Sequence, residues 1–583
     1  MQKILSYYLK PYYFRMSIGF IIKFVGSIMD LCLPWILAYM IDTIIPIQDK
    51  SKIYLWGLMM IVCSFLAVSF NIIANRMASK VASEATEHIR NDLFKKVMYL
   101  SDAYIDTYTK PSLMSRLTTD TYNVHQMIGR MQRLGVRAPI LLIGGIIVTL
   151  TLDPVLACVL IITLPFLVWI MLKVSKRSIP MYTQLQQSID HFVRIVREDI
   201  SGIRVIKALS KEDYEKKRFE KINDEVVAQE QKAGMIMAII DPSVSVIMNL
   251  ALVGVLTVGA FRVDSGLSEV GKILAFMTYF TIILNAMISI SKMFIILSKA
   301  IASANRIDTI LALEDDMEVI EILKDYEDEN IATDKAVNEG YHIVFEKVSF
   351  AYNQGEEEDL KDISFYIKPG ETLGILGGTG AGKSTIVSLL LRFYDVKEGR
   401  ILIDGRDIRS IPLQELRSKF GVAFQNDMIF EDTILENVNL GRNLSEEEIQ
   451  EALLYARAKE FVEQKTNNLE EALDIKGANL SGGQKQRILI ARALAAHPEI
   501  LILDDSSSAL DYQTDAMLRQ ELSSHFKRTT KIIVAQRVSS IMQADHIIVL
   551  EEGRMIGYGR HDELMAQCDS YRQISASQMG GVA

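Results

Sequence analysis

Long apolar runs fill the first half of the chain and short ones the second, with the change near residue 310. A helix needs about 20 mostly apolar residues to cross a bilayer. Six stretches meet that requirement, at roughly 17–40, 53–75, 134–152, 155–173, 243–262 and 272–298. The third and fourth are parted only by Asp153-Pro154, too short for anything but a tight outside turn. The links between spans two and three, and between four and five, are each about 60 residues or more, charged and nearly free of Gly and Pro. They predict helices that continue well beyond the bilayer, and their Lys and Arg content assigns them to the cytosolic side. Two polar turns with apolar or aromatic anchors, Ser112–Asp120 and Lys211–Glu215, read either as solvated helix hairpins or as docking segments for the rest of the chain. The opening residues, with Lys3, Lys10 and Arg15, read as an amphipathic elbow on the cytosolic membrane face and lack the pattern of a signal peptide.

From Tyr341 the period changes to short β-branched runs alternating with helical stretches, the sign of an α/β fold. An acidic, poorly periodic stretch precedes it. The expected organisation is therefore an all-α transmembrane domain of six spans with long cytosolic extensions over residues 1–310, a linker over 311–338, and a soluble α/β domain over 339–583. The chain has 583 residues, 49% of them hydrophobic, and a net charge of −9. Most acidic clusters fall beyond residue 310, so the charge describes the soluble half and gives no reason to expect nucleic-acid binding. The four cysteines, at positions 32, 63, 158 and 568, are too scattered for a disulfide framework or a metal site.

Charge inside the spans is costly. Lys23 and Asp30 lie seven residues apart on one helical face, either on a substrate pathway, or neutralised by a partner helix, or snorkelling. The sixth span carries Phe276, Met277, Tyr279, Phe280, Asn285, Met287 and Met293, which suit an adaptable cavity or ordinary packing equally.

The soluble half carries the chemistry. Gly377-Gly378-Thr379-Gly380-Ala381-Gly382-Lys383-Ser384-Thr385 follows an apolar strand at Thr372–Leu376 and opens a helix, the context a P-loop requires. Its glycines let backbone N–H groups close on phosphates; Lys383 reaches the β- and γ-phosphates and Ser384 ligates magnesium. Ile500–Leu503 is an apolar strand that ends in Asp504 and Asp505, and Asp504 is the expected magnesium carboxylate, acting directly or through another ligand of the ion. Leu480-Ser481-Gly482-Gly483-Gln484, at a helix start, suits a second phosphate.

Together these motifs make the whole chain resemble the ATP-binding cassette exporters in which six spans precede the cassette, the type common among bacterial multidrug pumps. Ile89–Phe94, Ser115–Thr118 and Gly202–Ala208 look like family segments of the two loops. The resemblance implies ATP and Mg²⁺ as ligands, Tyr352 stacked on adenine, Gln425 sensing magnesium and contacting the membrane half, and Ser508-Ala509-Leu510-Asp511 as the D-loop. It also implies that two cassettes close head to tail, each nucleotide lying between one P-loop and the partner's Ser481–Gln484 equivalent.

Two positions depart from that pattern. The family's glutamate after the magnesium aspartate is Asp505 here, and its switch histidine is Gln536. Asp505 is one methylene shorter, and a general base must come within about 3 Å of its water. Gln536 has no imidazole to carry charge near neutral pH. Both changes at one nucleotide, beside an intact signature, resemble the degenerate-site subunit of heterodimeric exporters, whose partner supplies the glutamate and the histidine. A third departure is Leu473–Asn479, where the family has Glu-Arg-Gly. The expected function is ATP-driven efflux of hydrophobic or amphipathic molecules by a multi-pass protein of the cell membrane, with N-terminus and cassette in the cytoplasm. Lipid or peptide export, and an ATP-gated regulator or channel, are the alternatives.

Overall fold

The computed structural model describes residues 2–314, 317, 340–352, 358–425, 427–506 and 509–579. Most of the expected linker, and Ser508 of the expected D-loop, lie outside the described residues. Two compact units emerge: Met1–Tyr99 with Pro111–Leu313, and Leu100–Lys110 with Glu314–Ala583. The units divide between Leu313 and Glu314, and Leu100–Lys110 groups with the α/β half.

The first unit is all helix. In chain order it contains α1 (Gln2–Leu9), α2 (Tyr13–Tyr39) and α3 (Lys50–Met98). Helix α4 (Asp102–Tyr108) belongs to the second unit. Then come α5 (Lys110–Ser115), α6 (Thr121–Arg130), α7 (Val136–Leu152), α8 (Pro154–Ser201), α9 (Ile203–Ala208), α10 (Glu212–Ala238), α11 (Ile240–Asp264) and α12 (Val270–Leu311). Among the described residues, five helical stretches are long and apolar enough to cross a membrane: Ser6–Ile44, Lys50–Met98, Lys110–Leu152, Ser245–Asp264 and Val270–Ile290. The fourth expected crossing coincides with a shorter apolar stretch, Pro154–Ile170, at the start of α8. At 49 residues α3 is roughly 74 Å long, far more than the roughly 30 Å of a hydrocarbon core.

Small residues set the packing of α2 on α3. Ala67 is buried, and a Cβ on Gly26 would come within 3.1 Å of the Phe70 side chain and 3.5 Å of the Ala67 carbonyl. Such small-residue faces let helix backbones approach closely. The Asp153-Pro154 turn is a helix cap as well as a connection. Asp153 Oδ1 accepts from Val155 N at 3.0 Å and Leu156 N at 3.3 Å, and Oδ2 accepts from Arg262 Nε at 3.0 Å. Of the sixth-span residues, Phe276, Tyr279, Phe280 and Met287 are buried, and Tyr279 donates to the Leu31 carbonyl at 2.5 Å. Their role in this chain is packing. The expected docking segment Ser112–Asp120 runs through α5 into a π turn at Arg116–Asp120, where buried Asp120 accepts from Arg306 Nε of α12 at 2.8 Å.

The second unit is a two-sheet α/β domain. Strands β1 (Ile343–Phe350), β2 (Leu360–Ile367), β4 (Glu398–Ile403) and β5 (Arg406–Asp407) form an antiparallel sheet ordered β2-β1-β4-β5. The larger sheet takes β3 (Thr372–Gly377), β6 (Phe420–Ala423), β7 (Ile500–Asp504), β8 (Thr530–Ala535), β9 (His546–Glu551) and β10 (Arg554–Gly559) in the order β10-β9-β3-β8-β7-β6. All its pairings are parallel except β10 with β9. Strands buried on both faces read as continuous apolar runs, as Ile500–Leu503 does. One core joins both sheets through Ile343, Phe345, Leu373, Ile386 and Ile502. A second, helical core holds Ile429, Leu453, Leu480 and Ile488.

Candidate nucleotide site

In open α/β sheets, ligands bind beyond the carboxyl ends of the parallel strands. Four neighbouring strands, β3, β8, β7 and β6, release the expected site residues at that edge: Gly377 onward from β3, Gln536 after β8, Asp504 and Asp505 from β7, and Gln425 after β6.

The loop from β3 opens α13 (Lys383–Leu390). Gly380 and Gly382 have φ of 82° and 96°, left-handed values that glycine adopts without a Cβ penalty. A Cβ on Gly378 or Gly380 would meet nothing within 4 Å, so open space lies before the loop. Thr379 and Ala381 alternate with these glycines, and Ala381 and Thr385 are buried against the domain. The Lys383 ammonium curls over the loop and donates to the carbonyls of Gly377 at 2.8 Å and Gly378 at 2.7 Å. Burial pushes its pKa down, against the pull of Asp504 and Asp505. A cation held by two neutral carbonyls beside an open, N–H-lined loop fits an incoming polyphosphate. Ser384 Oγ donates to Asp504 Oδ2 at 3.2 Å, and a hydroxyl beside a buried carboxylate is a hard-oxygen donor pair of the kind magnesium takes. Burial raises the Asp504 pKa; the Ser384 hydrogen bond opposes that.

Asp505 adopts a left-handed backbone, with φ of 48°, and its N–H donates to the Val534 carbonyl at 2.9 Å. Its Oδ2 accepts from Gln425 Nε2 at 3.0 Å and from Gln536 Nε2 at 3.1 Å. The two departures from the family pattern thus touch each other, and Gln425 joins them. Burial pushes the Asp505 carboxyl up, while Lys383, Arg537 and the Gln425 hydrogen bond pull it down.

Tyr352 is 45% exposed, and its hydroxyl donates to Thr385 Oγ1 at 3.2 Å, which sets the ring beside the start of α13. Asp359 accepts from its backbone N–H at 2.9 Å. The ring meets Phe350 and Tyr394 edge-on, with centroids 4.9 and 5.1 Å away. Tyr394 in turn donates to Asp106 Oδ2 of α4 at 2.6 Å. Neither Tyr394 nor Asp106 stood out in the sequence. They are 288 residues apart, and no local period or motif marks them.

The remaining expected residues sit on the other core. Ser481 caps α14 (Gly482–Leu494): its Oγ accepts from Gln484 N at 3.3 Å, and Gln484 Oε1 accepts from Ser481 N at 3.0 Å. Ser481 and Gly482 are exposed, with Gly483 half-buried behind them, so the helix N-terminus is open to an anion. Asp511 caps α15 (Tyr512–His525) by accepting from Thr514 N at 2.9 Å, and this hydrogen bond holds its carboxyl below the usual range. In the Leu473–Asn479 departure, Asn479 Nδ2 donates to the Ala472 carbonyl at 2.9 Å and braces the loop ahead of Ser481.

Two family models match the chain. One, described as the ABC transporter transmembrane region, covers residues 16–287, and the other, described as ABC transporter, covers residues 360–508. The chain is 35% identical over 581 residues to an uncharacterized ABC transporter ATP-binding protein, YfiB, of Bacillus subtilis (strain 168), covering 100% of this chain and 99% of that protein. It is 30% identical over 535 residues to an ATP-dependent lipid A-core flippase of Methylobacillus flagellatus, covering 91% and 88%. A solved structure of a bacterial Atm1-family ABC exporter with ATP bound shares the fold, with a TM-score of 0.81 over 98% of this chain and 99% of that one at 23% identity.

Proposed function

We infer the function from family membership: the chain belongs to the ABC transporters, with transmembrane and ATP-binding domains fused in one polypeptide in the exporter arrangement. It is proposed to drive efflux of hydrophobic or amphipathic small molecules across the cell membrane by alternating access, as one half of a dimer. Pro154–Ile170 is taken as the fourth of six crossings, with N-terminus and cassette on the cytosolic side.

Bound magnesium ATP supplies the phosphoanhydride whose cleavage resets the transporter. The chain's own residues hold it. Lys383 exchanges its two carbonyl acceptors for phosphate oxygens, Ser384 and Asp504 offer oxygen ligands to the metal with Gln425 beside them, and Tyr352 offers an aromatic face to the base. Binding that favours the closed cassettes over the open ones biases the membrane domain, since a ligand shifts an equilibrium only by such a difference.

In the finer reading, this subunit holds ATP without hydrolysing it well, and its partner is a different half-transporter carrying the glutamate and the histidine. The observation that supports it is the Asp505–Gln536–Gln425 set. Asp505 is a methylene shorter than glutamate, and its Oδ2 already accepts two amide N–H groups, so it is held back from a water that a general base must approach to about 3 Å. Gln536, committed to Asp505, has no titrating ring to offer a phosphate. Meanwhile the Ser481 helix start, on its separate core, is free to serve the nucleotide of the partner. The test is ATPase turnover of the purified chain beside Asp505→Glu combined with Gln536→His. Near-inactive wild type and a rise of at least about a hundredfold in the double variant is the expected result, on the scale that proton transfer by one positioned group contributes. Brisk wild-type hydrolysis, little changed by the substitutions, would show Asp505 to be a sufficient base and a homodimer to be enough.

A further inference from the structure

Strand β8 ends at Ala535, and the segment beyond it carries Gln536 before closing in a 3-10 turn at Val538–Ser540. A backbone that leaves a sheet takes its N–H and C=O groups with it, and each needs a new partner. Here one side chain supplies two. Gln578 Nε2 donates to the Gln536 carbonyl at 2.8 Å, and Gln578 Oε1 accepts from Val538 N at 2.8 Å. A carbonyl and an N–H two residues apart are what one residue of a parallel neighbouring strand would bind. The Gln578 amide stands in for that strand residue. Turning the amide over would set N–H against N–H and oxygen against oxygen, so its orientation is fixed by the backbone it meets.

Gln578 stands near the end of α16 (Asp569–Met579). The first turn of that helix is anchored: Tyr571 is fully buried, and its hydroxyl lies 2.7 Å from His561 Nδ1. Positions 571, 574 and 578 fall on one helical face. Tyr571 shares a core with Val538 and with Leu376, the residue before the phosphate loop, and Ile574 packs against that core. The helix therefore meets the segment after β8 by apolar packing at one end and by hydrogen bonds at the other. A second hold comes from α15, where Arg519 Nη1 donates to the Ser539 carbonyl. What the Gln578 clamp fixes is the position of Gln536. The side chain of Gln536 donates through Nε2 to Asp505 Oδ2 at 3.1 Å, and an amide nitrogen has a second N–H left to offer. Lys383 is close enough to Asp505 to draw its carboxyl down. Since a phosphate-loop lysine reaches the β- and γ-phosphates, Gln536 belongs to the end of the site where ATP carries a phosphate and ADP does not.

We propose that Gln578 is a positioning residue of the nucleotide site: through its two backbone hydrogen bonds the C-terminal helix holds Gln536 beside Asp505, and so gives the site its preference for ATP over ADP. Gln578 touches the backbone alone and acts through the side chain it sets in place. The proposal rests on the nucleotide reading of the site, but it is tested by binding, without turnover or a partner subunit. Its failure would therefore leave the degenerate-site reading untouched.

The experiment titrates the full chain in nanodiscs, in the presence of Mg²⁺, with ADP and with the β,γ-imido analogue of ATP, which binds without being cleaved. Gln578→Met removes both hydrogen bonds and keeps the length of the side chain. It should weaken the ATP analogue about threefold to tenfold, the scale of a hydrogen bond, and leave ADP within about twofold. A misfolded cassette cannot produce that split, because it would lose both nucleotides. With Gln536→Ala already in place, Gln578→Met should change neither affinity, since the side chain it positions is gone. Equal loss of both nucleotides, loss of neither, or an undiminished effect on the Gln536→Ala background would overturn the proposal. Failure of the wild-type chain to bind either nucleotide would overturn the nucleotide reading itself, and the proposal with it.

Discussion

At Asp505 the sequence and the structure meet most closely. An aspartate and a glutamine replacing a glutamate and a histidine could be read as independent changes, but the side chains share one hydrogen bond, with Gln425 as a second donor. This predicts that the substitutions are coupled. Gln536→His alone puts a ring beside a side chain too short to use it, and Asp505→Glu alone leaves the longer carboxylate under two amide donors. The activation by the double variant should exceed the product of the single effects, as residues sharing a network do, and turnover assays on all three variants read this directly. A residue-scale pH effect belongs to His342. Its ring is buried, within 2.7 Å of Thr530 Oγ1 through Nδ1, and burial pushes its pKa down against the pull of Asp404 and Glu499. The unfolded ring takes a proton near the ordinary histidine value of 6.5, while the folded ring resists to lower pH. Between those values the unfolded state binds more protons, so stability is full above pH 6.5 and falls as the pH drops below it. His342→Gln should lose less stability than wild type between about pH 7.5 and about pH 5.5. Thermal melts of the two chains, showing a gap independent of pH, would refute this.

At the scale of elements, what was legible in the sequence was whatever local chemistry dictates. The strand Thr372–Leu376, its glycine loop and the helix beyond follow from a run of apolar residues, the φ values that Gly380 and Gly382 can adopt, and a helix start. The tight Asp153-Pro154 turn was legible for the same reason. Its second function was not, because the pairing with Arg262 spans 109 residues. That double role makes a graded prediction. Asp153→Ala removes both the cap of α8 and the partner of Arg262, and should cost roughly 1–3 kcal/mol. Asp153→Asn keeps a capping oxygen and loses only the charge, so its thermal midpoint should fall between alanine and wild type. Equal losses would mean that the ion pair, rather than the cap, holds the α7–α8 connection. The sixth span shows the opposite limit of legibility. Met and aromatic residues suit packing and cavities alike, and only the burial of Phe276, Tyr279 and Phe280 decides for packing.

For the whole molecule, the decisive feature is where the chain belongs to the second unit out of turn. Leu100–Lys110 lies between two stretches of the helical unit, yet it groups with the cassette. The polar turns at 112–120 and 211–215 drew attention for their composition, whereas α4 is tied to the cassette by Tyr394 and Asp106, a contact invisible to any window of sequence. Through Tyr394 that tie continues to the ring of Tyr352, beside the phosphate loop, in an unbroken series of contacts within one unit: Thr385, Tyr352, Tyr394, Asp106. Since α4 is joined by peptide bonds at both ends to the helical unit, a shift of the Tyr352 ring has a mechanical route out of the cassette. Burial and the hydrogen bond to Asp106 push the Tyr394 phenol well above its ordinary range, so the link persists across any physiological pH. Severing it at Asp106, away from the nucleotide, should separate binding from work. Asp106→Ala is expected to leave ATP affinity within about twofold, since the lost contact is a single hydrogen bond at an exposed side chain. Substrate moved per ATP hydrolysed by the assembled transporter in proteoliposomes should fall severalfold. Transport that declines only in step with ATPase activity would show that α4 anchors the chain without transmitting the state of the nucleotide.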